Sequence, residues 1–238
     1  ETTFSRFLYY RHFYGNETPT ILCEGKTDNV YLKSAINKLA LKYPRLATPK
    51  SATNPYKLLV SFINYTKRTR FLLQLYGGTS YLHAFLNSFE EHYKFYNAPK
   101  PKNPVIIVLD NDSGFSGIDG LLKGKLSGTP HPNTLSKNEF RKADFIHVTK
   151  NLYIVMNPSG PKGEYLAIES LFSSATRSIK VSGKSFNPEN NMDKNTEFGK
   201  EIFASKVVLA NKNTIDFSGF EVLLSRIIMC LEHHELTS

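Results

Sequence analysis

The chain has 238 residues, 40% of them hydrophobic, and a formal net charge of +9 at pH 7. Such a length buries a full core without disulfide or metal staples, and predicts one large domain or one domain with a small appendage. No apolar run approaches the ~20 residues of a membrane-spanning helix and no secretory leader opens the chain, so a cytoplasmic protein with no membrane partner is expected.

The opening at Glu1, without an initiator Met, suits a fragment of something longer. Phe4 to Phe13 reads as a short helix, and its crowd of aromatics (Phe7, Tyr9, Tyr10, Phe13, Tyr14) exceeds what one short helix needs for docking on its own domain. Thr20–Cys23 reads as a short buried strand. A helix follows, with Leu32, Ala35, Ile36, Leu39 and Tyr43 on one face until Pro44 stops it. Residues 44–57 read as a loop, and 57–65 suit either a helical turn or a strand. Phe71–Tyr76 is expected to be a second strand closed by Gly77 and Gly78. Leu82, Phe85, Leu86, Phe89 and Tyr93 then mark an amphipathic helix. Val105–Leu109 is the clearest strand, continuous and β-branched, as buried parallel strands are.

Residues 123–142, rich in Gly, Pro, Asn and Lys, read as a mobile loop. Strands are expected at Phe145–Thr149 and Leu152–Met156, and a helical turn at Ile168–Phe172. Phe198-Gly199-Lys200 opens a helix with Ile202 and Phe203 inward. A final helix carries Phe220, Leu223, Leu224, Ile227, Ile228 and Leu231 at 3.6-residue spacing. The alternation of strands and helices predicts an α/β fold: a mostly parallel sheet with helices on both faces and a helical C-terminal part. Cys23 and Cys230 read as buried free thiols, and His131 and the His233–His234 pair as loop and surface histidines.

Charge is uneven. Between Lys42 and Lys102 stand ten Lys or Arg against Glu90 and Glu91 alone, interleaved with Tyr43, Tyr56, Tyr65 and Phe71. Such a block suits nucleic acid, with Lys67, Arg68 and Arg70 as phosphate-contacting residues. A small ligand would not need so broad a cationic face.

Two acidic motifs fall where strands end: Glu24-Gly25-Lys26-Thr27-Asp28 after the first strand and Asp110-Asn111-Asp112 after Val105–Leu109. Sites of open α/β sheets form at the carboxyl ends of strands, so neighbouring strands would bring both motifs to one edge. Magnesium takes oxygen ligands and keeps several waters, so a few carboxylates and substrate phosphates suffice. Taken singly, Glu-Gly carries no signal and Asp-x-Asp after a strand is more often a loop or helix cap; the specificity lies in their order and placement.

Leu22-Cys23-Glu24-Gly25-Lys26-Thr27-Asp28 and Val108-Leu109-Asp110-Asn111-Asp112 resemble the two signature motifs of the Toprim domain family, which includes topoisomerases, bacterial primases, overcoming-lysogenization-defect nucleases and some reverse-transcriptase extensions. The resemblance implies a compact Rossmann-like sheet, Mg2+ or Mn2+, and making or breaking of phosphodiester bonds. Glu24 would match the family's glutamate, a metal ligand or general acid/base, and Asp110 and Asp112 its metal-binding aspartates. Asp28 and Glu169 are further metal-ligand candidates, Lys26 and Lys184 substrate contacts, and Lys200 a catalytic cation; surface lysines and helix-start charges are the plainer alternatives. The long interval between Glu24 and Asp110 implies an insertion at 44–70, and Gly114 comes one residue earlier than in topoisomerases and primases. The resemblance spans roughly residues 20–172, leaving 1–19 as a linker from an upstream domain and 173–238 as a C-terminal helical extension.

Ile168–Phe172, Gly183–Phe186, Phe198–Lys200 and Asp216–Phe220 further resemble the tail of Toprim extensions behind retron-type reverse transcriptases. That resemblance implies a metal-dependent nuclease, acting on RNA (tRNA included) or DNA, as effector of an antiphage retron. Its partners would be nucleic acid, an upstream reverse transcriptase domain with its retron RNA/DNA, and, compatibly, further copies of itself. A non-catalytic Toprim-like nucleic-acid-binding module and a small-molecule phosphohydrolase are the alternatives.

Overall fold

The structure, a computed structural model, describes residues 2–160, 163–164, 166–189 and 191–238. Glu1, with which the expected N-terminal segment begins, lies outside them. The strands are β1 (Thr20–Cys23), β2 (Ala47–Thr48), β3 (Lys57–Leu58), β4 (Ser61–Phe62), β5 (Val105–Leu109), β6 (Thr129–His131), β7 (Phe145–Thr149), β8 (Leu152–Met156), β9 (Ser185–Phe186) and β10 (Glu197–Phe198). The helices are α1 (Thr2–Tyr9), α2 (Lys26–Lys38), α3 (Lys67–Leu73), α4 (Thr79–Tyr93), α5 (Phe115–Lys123), α6 (Ser174–Arg177), α7 (Lys200–Ile202) and α8 (Glu221–Thr237). α1 runs on as a π-helical turn over Tyr10–Tyr14, and α7 as one over Phe203–Leu209.

The main sheet has the order β4-β1-β5-β8-β7-β6. β4, β1, β5 and β8 are parallel, whereas β7 and β6 close one edge in antiparallel sense. The chain is therefore an α/β protein with a mostly parallel, six-stranded mixed sheet. Val105–Leu109 is buried throughout, because both sheet faces are covered. Its residues alternate between two cores: Ile106 and Val108 face α2, the 203–209 turn and α8, while Val105, Ile107 and Leu109 face α4, α5 and the N-terminal helix. That period-two division is what a sheet sandwiched by helices requires.

Several segments depart from expectation. Phe71–Tyr76 is not a strand: α3 begins at Lys67 with Thr66 as its cap, accepting from the Thr69 N–H, and ends at Leu73 before the left-handed Gln74. An apolar run need not enter a sheet, and here Phe71 stays exposed. The edge strand is instead the short β4, within the 57–65 segment. The 123–142 segment holds β6 and a 3-10 helix over Lys137–Lys142, anchored by buried Phe140. Ile202 is exposed and only Phe203 turns inward. In the N-terminal helix, Tyr9, Phe13 and Tyr14 are buried against Phe85, Phe89 and Tyr93 of α4, which leaves Phe4 and Phe7 as its exposed rings. His131, His147 and His233 are not scattered. Their rings gather around Phe145 and Tyr153, and His234 is buried beside them. Cys23 and Cys230 are buried free thiols. Among the described residues no helix is long and apolar enough to cross a membrane.

Candidate metal centre

β1 and β5 are adjacent and in register, Cys23 opposite Val108, so Glu24 and Asp110 leave the sheet side by side. The Glu24 N–H donates to the Val108 carbonyl at 3.1 Å, and the Asp110 N–H donates to Glu24 Oε2 at 3.3 Å. Glu24 Oε1 accepts from the Thr79 hydroxyl at 2.7 Å, and the Gly78 N–H donates to the Glu24 carbonyl at 2.9 Å. This brings the start of α4 against Glu24, where the positive end of the helix favours a carboxylate. Gly77 and Gly78 both take φ of +89°, the left-handed region open to glycine, which lets the chain turn sharply there.

Asp110 Oδ1 accepts from Asn157 Nδ2 at 2.7 Å and from the Ile168 N–H at 2.8 Å. Burial, followed by the charges of Asp28, Glu169 and Glu24, raises its pKa to about 8. Asp28 is buried in the first turn of α2, where Oδ2 accepts from the Gly25 N–H at 2.8 Å. Burial raises it to about 7 despite that bond, and Glu169 and Glu24 add to the effect. Glu169, on the turn after the Ile168 N–H, is 3% exposed, and neither carboxylate oxygen has a hydrogen-bond partner. Lys200 Nζ lies 3.2 Å from Glu169 Oε2, close enough for an ion pair but poorly aligned for a hydrogen bond. Burial opposes the Lys200 charge, yet Glu169, Asp110 and Asp28 together hold its pKa above the ordinary lysine value.

Asp112 stands a step away. Its Oδ1 accepts from the Gly114 N–H at 2.8 Å at the start of α5, and Gly114 packs against Thr79 Oγ1, so Thr79 lies between Glu24 and Asp112. Asn111 between the two aspartates is fully buried. Arg141 donates to its Oδ1 at 3.0 Å and to the Asp112 carbonyl at 2.8 Å, fixing the turn that separates Asp110 from Asp112.

The structure therefore brings Glu24, Asp28, Asp110, Glu169 and Lys200 together, with Asp112 across Thr79. Arg70 lies near Tyr65, whose hydroxyl bonds the Cys23 carbonyl and whose ring approaches Gly77. Lys67 and Arg68 are on the same helix, with Lys67 exposed. Lys26 pairs at 2.5 Å with Glu201, both exposed. Lys184 turns instead to the Lys194 carbonyl, in the small β9–β10 unit. Sequence reasoning misses Thr79, Asn157 and Arg141. Each is polar at the end or start of an element bordering the two acidic motifs, but which would face the carboxylates depends on strand order.

The residues fit a hard divalent cation in kind. The set is all oxygen, burial and neighbouring carboxylates push Asp110 and Asp28 toward protonation, and the buried Glu169 carboxylate is met by the Lys200 ammonium. Among the described residues no group of three Asp, Glu, His or Cys side chains is already gathered as a cage. Large cavities lie elsewhere, one of about 520 Å³ by Arg11 and Lys33 and one of about 390 Å³ by Arg6, Leu73 and Phe95. Neither is lined by these carboxylates. No family model matches the chain, and no solved structure matches it.

Proposed function

We propose that this chain is a divalent-metal-dependent nuclease of the Toprim type, with its centre at the Glu24–Asp110 strand edge. The observation that carries the reading is the electrostatic coupling of Asp28, Asp110, Glu24 and Glu169 at the carboxyl ends of parallel strands, with Lys200 paired to Glu169. The adjoining parallel strands and the two signature-like motifs support the Toprim assignment. The retron-like tail makes an upstream reverse transcriptase, with its nucleic acid, the proposed partner.

In this reading Glu24, Asp110 and Asp112 would hold Mg2+ or Mn2+, with Asp28 and Glu169 as further candidate ligands. Those residues would thereby bring to the site the Lewis acidity that polarises a phosphoryl oxygen and makes a water more acidic. The chain's own groups do the rest. Asn157 and the Ile168 N–H fix the Asp110 carboxylate, and Thr79 and the Asp110 N–H fix Glu24, the metal ligand or general acid/base of this reading. Lys200 balances the buried Glu169 and lies near enough to Asp110 to offset charge developing on phosphate oxygens. Metal binding to Asp28 and Asp110 would release protons, because both tend to hold them in the free protein. The test is incubation of the purified chain with labelled DNAs and RNAs, with magnesium or with chelator. Metal-dependent cleavage is expected, and binding without cleavage of any of them would favour the non-catalytic module.

A further inference from the structure

Tyr76 and Tyr81 flank the Gly77-Gly78-Thr79 turn that contacts Glu24. Their rings lie 5.0 Å apart with a 40° tilt. Each is 40% exposed, although the rest of α4 buries its apolar face through Leu82, Phe85, Leu86 and Phe89. Buried Leu75 precedes Tyr76 and buried Leu82 follows Tyr81, so the segment is anchored at both ends. Two residues of chain span at most about 7 Å, so Tyr76 is tethered close to Gly78 and Tyr81 close to Thr79, the residues bonded to Glu24. α3, which precedes Tyr76 in the chain, carries Lys67, Arg68 and Arg70 and no acidic residue and exposes Phe71, and its Arg70 lies near Tyr65, whose ring approaches Gly77.

An exposed aromatic pair following a basic helix has the two components of a single-strand site: rings for bases and cations for phosphates. A duplex hides the faces of its bases in its own stack and meets proteins through backbone and groove edges. Only unpaired bases can use the Tyr76–Tyr81 surface. Resting on the nuclease reading above, we propose that this site takes nucleic acid that is single-stranded where it meets the acidic centre, with unpaired bases stacked on Tyr76 and Tyr81 and phosphates along Lys67, Arg68 and Arg70. A structured RNA would present a loop there, not a stem.

The experiment measures fluorescence anisotropy of labelled oligothymidylate, oligouridylate and a blunt DNA duplex of matching length, in magnesium and in an Asp110→Asn background that blocks cleavage. The single strands should bind tighter than the duplex. Tyr76→Ala and Tyr81→Ala should each weaken single-strand binding by about five- to a hundredfold, with duplex binding little changed. The Tyr76→Phe/Tyr81→Phe variant should retain affinity, because the ring and not the hydroxyl carries the stack. Equal or tighter duplex binding, or unchanged single-strand binding by the double Ala variant, overturns the proposal. So does a change in oligomeric state in place of affinity, which would make the pair a contact between copies. Failure of the nuclease reading is separate: wild-type protein that binds single strands through these rings but cleaves none with magnesium would retain the stacking surface and lose the nuclease.

Discussion

Replacing Asp110 by Asn should stabilise the metal-free protein while removing a proposed metal ligand. The amide oxygen can still accept from Asn157 and the Ile168 N–H, so the local bonds survive. Asp110 titrates near 8 instead of 3.8, because of burial and then of Asp28, Glu169 and Glu24. A carboxyl with a raised folded pKa keeps its proton in the native state after the unfolded chain has lost it. Its cost is therefore absent below about pH 4, grows as pH rises, and is complete above about pH 8. At pH 7 that cost is bounded by about 4 kcal/mol, at about 1.4 kcal/mol per pKa unit. Screening at the partly open edge and sharing of charge among coupled carboxylates reduce the expected gain to about 2 kcal/mol. For a chain of this size that is a rise in Tm of about 4–8 °C. Thermal unfolding in chelator should show that rise for Asp110→Asn at pH 8 and less than half of it at pH 5. Adding magnesium should raise Tm of the wild type and leave the variant where it was. A variant no more stable than wild type at pH 8, or one with the same gain at both pH values, would refute the electrostatic account of the strand edge.

Charge reversal of Lys67, Arg68 and Arg70 should weaken nucleic-acid binding and flatten its salt dependence by about 0.7–0.9 in log–log slope for each phosphate no longer neutralised; an unchanged slope would place the strand elsewhere. His233, lowered to about 4 by burial and then by His131, His147 and His234, shares a hydrogen bond of 3.0 Å with the Tyr153 hydroxyl. Its depressed value contributes stability that is complete above about pH 6.5 and lost as pH falls toward 4, so a pH series of Tm should fall less steeply in His233→Gln than in wild type. A Cβ on Gly219 would meet the Leu171 carbonyl oxygen at 2.0 Å, so Gly219→Ala should lower stability by more than about 3 kcal/mol in denaturant titration.

The parts of the fold legible in the sequence are those where one physical signal dominates. Val105–Leu109 is β-branched and apolar without a break, which only a strand covered on both faces tolerates, and the 3.6-residue stripe of α8 has one reading. Phe71–Tyr76 misleads because a short apolar run does not distinguish a strand from a half-buried helix; the deciding signal is the Thr66 cap with Thr69 three residues on. β4 is two residues long, too short to show a period. Of the centre, strand-end logic alone places Glu24 and Asp110, and the neighbouring register of β1 and β5 brings them together. Asp28, a ligand candidate in the sequence, caps α2 through the Gly25 N–H. Thr79, Asn157 and Arg141 reach the site only through the three-dimensional order of strands and helix starts. The histidines are likewise separated by up to about a hundred residues of chain, and no local pattern joins them.

The most direct measurement is binding of Mn2+ to the purified chain, followed by electron paramagnetic resonance, in wild type, Asp110→Asn and Glu24→Gln. The account predicts saturable binding in wild type, accompanied by proton release near neutral pH, and its loss in both variants while circular dichroism shows the fold retained. Equal Mn2+ binding by all three proteins would contradict it.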